Sequence, residues 1–426
     1  MKIEITDPGE IHLLLVEKYQ GSSVNIVVRV VIDECFSDEI YSDALNSLVK
    51  SHPYLSARYT SEEEGGVFRY YYEELETAKA NIQISEVNDD VIDLEMHELS
   101  SMRSHLFKHD EGVLYKLNVR AGNSRSLLEL TCTHIIGEIP SIIILIGELL
   151  NNIDQLVTTE KTSIHRNKKY RFNEDDFSWK TCVYENLNFE TDKVERLKND
   201  PWVLPKATLE RHKLDTAYFR GITNWLSKNK IKAAASDVFY YIAHQVLTEA
   251  LGSNPDMWLI LSYRNKAIKE KVKNSIYNFA FFAPVNTSEF DGGNEKEWLE
   301  SIYQYRMNLI TREGVCASRN FFYSLNRAME GKDIQTGKNI MDSLVRFPDF
   351  AFNNFGRIDP YVGKHESFTI LDFDVQDGTP AQEIRYFTLG DTFYINPTFF
   401  DRSGVDVKAF WNAFEERLGQ MLVLRI

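Results

Sequence analysis

The sequence predicts an α/β protein made of two related lobes. Strand-like runs of β-branched residues alternate with segments of helical spacing in both halves of the 426-residue chain, and in a similar order. Between the halves, charge becomes dense and periodicity fades, as expected of a connection between domains. We therefore expect an N-terminal lobe at 1–157, a connection at 158–216 and a C-terminal lobe at 217–426.

The first half is predicted to open with a strand and a helix. Residues 24–32 are rich in valine and isoleucine, which favour strands. Apolar residues then recur at helical spacing over 37–51. The pair His52-Pro53 ends this helix, because the residue before a proline avoids the α region.

A hairpin and a buried helix follow an amphipathic helix predicted at 90–108. The hairpin strands are 113–119 and 126–136. Residues 139–153 are apolar on nearly every side, so a core helix is expected, with Pro140 favourable in its first turn. Its longest apolar run is too short for a bilayer, and we expect no membrane span.

The second half is predicted to contain further helices and strands in the same alternating style. The helices are predicted at 235–251, 295–312 and 405–418, and the strands at 258–263, 278–285, 347–355, 368–373, 385–389 and 393–398.

Composition and charge exclude several classes of protein. The net charge of −15 and a pI near 5.2 argue against binding to nucleic acid or to an anionic membrane. The cysteines form no CxxC pair, which argues against structural zinc and a disulfide framework. The N-terminus has no basic segment followed by an apolar core, so we expect a cytoplasmic protein. We also expect it to be a monomer.

One histidine stands where a general base would be placed. His134 lies between a predicted strand end and the predicted buried helix, with Gly137 and Glu138 between them. Chance alone gives roughly one or two pairs of histidine with an acidic residue four positions later, so context matters more than spacing. His134 is either a general base or a structural histidine whose hydrogen bonds are satisfied, and the sequence leaves both interpretations open.

Two other clusters lie at strand ends and have equally open interpretations. Asn354 and Gly356 suit the wall of a tunnel or an ordinary polar turn. Arg264 ends a predicted buried strand, where it would need a carboxylate partner unless it reaches solvent.

Metal and phosphate sites are less well supported. His105 and His109 are four apart on a predicted helix, but no third ligand is near in sequence, so a metal hydrolase is the weakest hypothesis. The run 331–338 resembles a phosphate loop, but its spacing is one residue too long and we reject it. We predict no metal site.

Taken together, these segments resemble the superfamily of peptide condensation domains and CoA-dependent acyltransferases, which includes chloramphenicol acetyltransferase, alcohol acetyltransferases and polyketide-associated acyltransferases. The resemblance covers almost the whole chain. Residues 51–58 are similar to the family's HPxLR region, and 112–117 to its GPLxRxxL strand. Residues 133–141 fall on the HHxxxDG signature. Tyr263-Arg264 with Asn278-Phe279 fall on the GR…GxFxN stretch, and 354–357 resemble the NxGR strand.

The resemblance implies two chloramphenicol-acetyltransferase-like α/β sandwich lobes with a tunnel at their interface. His134 matches the catalytic histidine of the signature, and Glu138 stands for its structural aspartate, with Arg264 as the matching arginine. The chain departs from the signature at Thr133, Glu138 and Ile139. The resemblance assigns seven residues to the tunnel or to substrate binding, and two of them, Thr133 and Ile139, are also departures from the signature. The seven are Thr133, Gly137, Ile139, Ser141, Asn278, Asn354 and Gly356.

The function that the resemblance implies is acyl transfer from a thioester to a hydroxyl or amine of a small-molecule acceptor in secondary metabolism. The acyl donor would be coenzyme A or the phosphopantetheine of an acyl or peptidyl carrier protein, with no bound cofactor. His134 would act as the general base. The alternative is a non-catalytic relative that recruits a carrier protein or another enzyme.

Overall fold

A computed structural model describes residues 2–20, 24–65, 67–75, 80–92, 107–162, 164, 207–262, 280–285, 294–344, 348–378 and 381–423. Its strands are β1 (Lys2–Ile5), β2 (Asn25–Ile32), β3 (Ala57–Glu64), β4 (Val67–Glu74), β5 (Ile82–Glu86), β6 (Tyr115–Ala121), β7 (Ser126–Thr133), β8 (Ala207–Leu209), β9 (His212–Asp215), β10 (Met257–Ser262), β11 (Ala280–Ala283), β12 (Phe350–Arg357), β13 (Ile370–Asp377), β14 (Gln382–Leu389) and β15 (Thr392–Phe400). Its α-helices are α1 (Pro8–Gln20), α2 (Asp38–Ser51), α3 (Ile139–Thr159), α4 (Thr216–Lys228), α5 (Ala235–Leu251), α6 (Glu295–Leu309), α7 (Arg312–Met329), α8 (Ile334–Leu344), α9 (Asp359–Val362) and α10 (Val407–Val423).

The strands form two large sheets and one small one. The first large sheet has the order β13-β2-β7-β6-β5, and the small sheet has the order β1-β4-β3. The second large sheet has the order β11-β10-β12-β14-β15-β8, with β9 also paired to β15. Helices pack against both large sheets, so the mixed α/β class predicted from the sequence is confirmed.

Helix α3 is the central helix of the first core. It is the one helix in the described part of the chain that is long and apolar enough to cross a membrane. Most of its side chains from Ile139 to Ile153 are buried in the protein core, and it packs on α2 and α9. Gly147 permits this contact with α9, because a Cβ there would lie 2.0 Å from the Tyr361 carbonyl oxygen. The predicted helix at 139–153 is therefore present and six residues longer at its C-terminus.

The second half of the chain contributes directly to the first core. Helices α7 and α8 pack on α1, where Tyr19 donates a hydrogen bond to the Met329 carbonyl (2.6 Å) and Asn326 donates one to the Pro8 carbonyl (2.7 Å). Arg319 also forms a buried ion pair with Asp7. Neither α1 nor α7 and α8 was expected from the sequence.

Strand β13 joins the two large sheets. Parallel strands β12 and β14 are neighbours in the second sheet, yet between them the chain passes through β13, which pairs with β2 in the first sheet. The domain boundaries proposed from the sequence stay a prediction. Most of the predicted connection at 158–216 and of the predicted helix at 90–108 lies outside the described residues.

A buried carboxylate marks the contact between these sheets. Asp374 on β13 is fully buried and accepts hydrogen bonds from the Arg29 guanidinium on β2 and from Asn396 Nδ2 on β15 (3.0 Å). Arg211, between β8 and β9, places its Nε 3.8 Å from Asp374 Oδ1. Buried charges are tolerated when they are paired and hydrogen-bonded, as they are here.

The cysteines differ in state. Among those described, Cys35 and Cys132 are free thiols, and Cys316 on α7 is disulfide-bonded, which the sequence did not lead us to expect.

Asp374→Asn should destabilise the fold strongly. The substitution leaves Arg29 buried without its counter-charge, which typically costs about 3–5 kcal/mol, whereas Arg211 keeps its ion pair with Asp372. We expect the free energy of unfolding, measured by urea denaturation, to fall by about that amount. Glu111→Gln, which removes one half of the exposed Lys108–Glu111 pair, is the control and should change it by less than about 1 kcal/mol. Equal effects of the two variants would contradict the assignment.

The same carboxylate predicts loss of stability in acid. Burial alone would raise the pKa of Asp374, but the charges of Arg29, Arg211 and Arg385 outweigh it and lower the pKa from 3.8 to about 2. A carboxylate whose pKa is lower in the folded state stabilises the fold when the pH is above its pKa in the unfolded chain. This stabilisation is lost as the pH falls to the pKa of the folded state. We expect roughly 2 kcal/mol to be lost between about pH 4 and pH 2. Urea midpoints measured across this range test it, and a flat profile there would contradict it.

Candidate active site

His134 directly follows the last residue of β7. Its backbone N–H donates to the Val24 carbonyl (2.7 Å), and the next turn is closed by Ile136 N–H donating to the Thr133 carbonyl (3.1 Å). Thr133 is itself held in the first sheet by pairing with Asn25 of β2. The chain then enters α3 at Ile139, so the strand end and the helix start fix both sides of the histidine.

The two ring nitrogens of His134 differ in their surroundings. The residue as a whole is half-buried, and its Nδ1 is buried with no hydrogen-bond partner in the described part of the chain. A buried polar atom without a partner is uncommon in native proteins and often marks a functional position. A neutral imidazole with its proton on one nitrogen accepts a proton at the other, which is what a general base requires.

Glu138 connects the start of α3 to the second sheet. It is the N-cap of this 21-residue helix and is 1% exposed. Its Oε1 accepts a hydrogen bond from the Ser262 hydroxyl at the end of β10 (3.2 Å). The positive end of the helix dipole also stabilises a carboxylate at this position. Glu138 therefore holds the His134 turn against the end of β10.

A cavity of about 190 Å³ lies beside this contact. Pro140 of α3 and Ser262 of β10 line it, together with Asn354 and Gly356 of β12 and Tyr361 of α9. Strands β10 and β12 are paired in parallel only as far as Ile260 and Asn353. Beyond that pair the strands separate, and the cavity occupies the space next to their carboxyl ends.

Asn354 and Gly356 form an irregularity in β12. The register with β14 shifts between these two residues, Gly356 has a φ of +70°, and its N–H donates to Asn354 Oδ1 (2.7 Å). A positive φ favours glycine, because a Cβ is strained in the left-handed region. The bulge is the kind of feature that redirects a strand next to a binding site.

The structure brings together some of the sequence-predicted residues and separates others from the cavity. Asn354 and Gly356 line it. None of the residues from Thr133 to Ile139, which include His134 and Glu138, is among its lining residues, and neither is Ser141. Ile139 packs in the first core. Arg264 and Asn278 lie outside the described residues, so the ion pair between Glu138 and Arg264 stays a prediction.

The sequence did not single out a second set of polar residues that line the cavity. These are Ser236 and Asp237 at the start of α5, Arg306 on α6 and Tyr386 on β14. The available signal was one acidic residue in the first turn of α5. Its partner is 69 positions away and could not be chosen from the sequence.

The hypothesis of a metal site receives no support from the described geometry. Among the described residues no group of three histidine, cysteine or acidic side chains is arranged to hold an ion. His109 Nδ1 instead lies 2.9 Å from Glu17 Oε1, and His105 is outside the described residues.

Comparisons with solved structures show which fold this is. The first condensation domain of the CDA synthetase superimposes with a TM-score of 0.62 at 11% identity, covering 100% of this chain and 96% of that one. Polyketide synthase associated protein 5 from Mycobacterium tuberculosis gives 0.59 at 13% identity, covering 99% and 97%. TRI101 of F. sporotrichioides, complexed with coenzyme A and T-2, gives 0.58 at 12% identity, covering 98% and 97%.

The chain has the condensation-domain fold. The resemblance to condensation domains and CoA-dependent acyltransferases is confirmed at the level of structure, and with it the arrangement of two chloramphenicol-acetyltransferase-like lobes. No protein-family model and no curated protein matches the sequence. In this fold the cavity is lined by both halves of the chain, with Pro140 from the first half and the other lining residues from the second.

A double-mutant cycle should detect the bond between Glu138 and Ser262. We expect Ser262→Ala to cost about 1 kcal/mol of unfolding free energy and Glu138→Ala about 1–3 kcal/mol, since the latter also removes a buried carboxylate that the α3 dipole stabilises. The double variant should lose less unfolding free energy than the sum of the two single variants, by at least about 0.5 kcal/mol.

The control pairs Ser262→Ala with Glu160→Ala, at the opposite end of α3, and should be additive within about 0.5 kcal/mol. Urea denaturation of all variants provides the measurement. Additivity of the Glu138 and Ser262 variants would argue against a direct bond.

Proposed function

We propose that this protein is an acyltransferase that moves an acyl group from a thioester to a hydroxyl or amine, with His134 as the general base. The observation that carries the proposal is a half-buried histidine at a fixed strand end, four residues before Glu138, whose carboxylate binds a serine that lines the cavity. The fold supports it, since one structural neighbour was crystallised with coenzyme A.

The chemistry requires one proton transfer in each direction. The imidazole of His134 accepts the proton of the acceptor's O–H or N–H while the oxygen or nitrogen attacks the thioester carbonyl carbon. The C–S bond then breaks, and the imidazolium returns the proton to the leaving thiolate. Charge and atoms balance without a cofactor, and the products are an ester or amide and a free thiol.

The donor would be acyl-CoA or an acyl group on the phosphopantetheine of a carrier protein. Several structural neighbours are parts of peptide synthetases and polyketide synthases, which favours a role in natural product biosynthesis. An acyl or peptidyl carrier protein is therefore a candidate partner, and a small molecule is the candidate acceptor.

His134→Ala should lower acyl transfer by about 10²–10⁴-fold, the usual contribution of a general base. Intact-mass detection of products from a panel of acyl-CoA and acyl-pantetheine donors, offered to alcohols and amines, measures the effect. The thermal midpoint should hardly change, because the ring makes no side-chain hydrogen bond to the described residues.

The matched control is His212→Ala. This histidine is also half-buried but stacks on Trp411 at the far edge of the second sheet (ring centroids 3.7 Å apart). We expect the His212→Ala variant to keep the wild-type rate of acyl transfer. Undiminished transfer by His134→Ala would contradict the assignment of the base. Carrier-protein binding that survives His134→Ala, with no transfer from any thioester, would favour the alternative of a recruitment module.

A further inference from the structure

The wall of the cavity contains an ion pair that the proposed proton transfers do not use. Arg306 Nε donates to Asp237 Oδ1 (2.9 Å) and Arg306 Nη2 donates to Asp237 Oδ2 (3.1 Å). The Ala234 N–H also donates to Asp237 Oδ2 (2.7 Å). Both carboxylate oxygens are thus engaged, and the two charges cancel.

The guanidinium retains hydrogen-bonding capacity toward the cavity. Two of the five N–H groups of Arg306 bind Asp237, and three are left. Burial alone would lower the pKa of Arg306, but the hydrogen bonds and charge of Asp237 outweigh it and raise the pKa above its usual value. The group is a permanent cation that is already neutralised by its neighbour. A ligand can accept a hydrogen bond from it without supplying a charge.

A phenol lies beside this ion pair. Tyr386 is 4% exposed, and burial raises its pKa, so the hydroxyl is protonated at neutral pH. The Ser236 side chain forms a hydrogen bond with this hydroxyl, and a serine hydroxyl can donate as well as accept. With Ser236 as the donor, the O–H of Tyr386 is available to a further acceptor. Phe352 packs against the Tyr386 ring and lines the cavity with it (ring centroids 5.0 Å apart).

Large apolar residues also line the cavity, among them Leu259 and Leu261 of β10, Phe352 of β12 and Ile310 after α6. An apolar cavity of about 150 Å³ holds a benzene-sized ligand. By proportion, 190 Å³ accommodates about six to eight non-hydrogen atoms.

We propose that this cavity binds a short, mainly apolar group with a neutral oxygen acceptor at its far end, such as an oxo- or hydroxyalkyl chain. The proposal rests on the proposed acyl transfer, because the group would belong either to the transferred acyl chain or to the acceptor alcohol. A carboxylate or ammonium end would bring an unbalanced charge next to a balanced pair and would be disfavoured. Tyr386 and Arg306 are then the residues that determine substrate preference.

A binding experiment separates this proposal from the transfer reaction. Stable amide analogues of acyl-pantetheine carrying hexanoyl, 5-oxohexanoyl or adipoyl groups are titrated calorimetrically into wild-type protein and the His134→Ala variant. Hexan-1-ol and 6-hydroxyhexan-2-one test the acceptor as the source of the group. In one of the two series, we expect the ketone to bind about 2- to 10-fold more tightly than its alkyl counterpart, and the adipoyl analogue to bind more weakly than 5-oxohexanoyl.

Tyr386→Phe should abolish the preference for the ketone, because it removes one hydroxyl and little volume. The matched control is Tyr240→Phe. This phenol is also buried, but it donates to the Met257 carbonyl (2.7 Å) and does not line the cavity. It should keep the preference, as should His134→Ala.

Enlarging the cavity should change the preferred chain length. Ile310 is half-buried at the end of α6, so Ile310→Ala is expected to fold and to favour an octanoyl over a hexanoyl analogue. Each added CH₂ that is accommodated is worth about a fourfold gain in affinity.

The proposal is overturned if no compound binds, if alkyl and ketone forms bind alike, if adipoyl binds most tightly, or if Tyr386→Phe behaves like Tyr240→Phe. If the compounds bind as expected but no thioester supports acyl transfer, the proposed binding preference of the cavity stands and the proposed function is rejected.

Discussion

The arrangement of the whole molecule depends on one buried carboxylate, that of Asp374. It lies opposite Arg29 in the pairing of β13 with β2, and it also interacts with Arg211 and Asn396 from the second sheet. Breaking such a network leaves a buried charge without compensation, so the two sheets have a strong preference for this single relative position. The ion pair is thus better understood as a determinant of register than as a source of net stability.

This constraint extends to the candidate active site through the end of β13. After Asp377, the Gly378 N–H donates to the carbonyl of Asn25 (2.7 Å), and Asn25 is the strand partner of Thr133. The strand that joins the sheets therefore ends next to the strand that carries His134. On the other side, the Glu138 carboxylate meets Ser262 of β10. The position of the histidine relative to the cavity is consequently fixed from both sheets.

Patterns local in sequence predicted much of the secondary structure, and long-range contacts explain what was missed. The apolar run at 139–153 was sufficient to predict a core helix. Asn354 and Gly356, interpreted as a tunnel wall or a polar turn, lie at a strand irregularity and line the cavity. Helix α1 was not predicted because its burial depends on α7 and α8, about 300 residues later. The same holds for Asp237, which interacts with Arg306 only after α5 and α6 have packed together.

The departures from the condensation-domain signature can be interpreted in the same physical terms. Glutamate instead of aspartate lengthens the side chain by one methylene, and Glu138 uses this reach to contact Ser262 from the N-cap of α3. Isoleucine instead of glycine adds apolar volume, but Ile139 packs in the first core, while Pro140 borders the cavity. Both changes thus affect how α3 is held and leave the described walls of the cavity unobstructed. Differences in substrate between this chain and its structural neighbours should accordingly arise at Arg306 and Tyr386, which in our proposal determine which chain ends can be hydrogen-bonded.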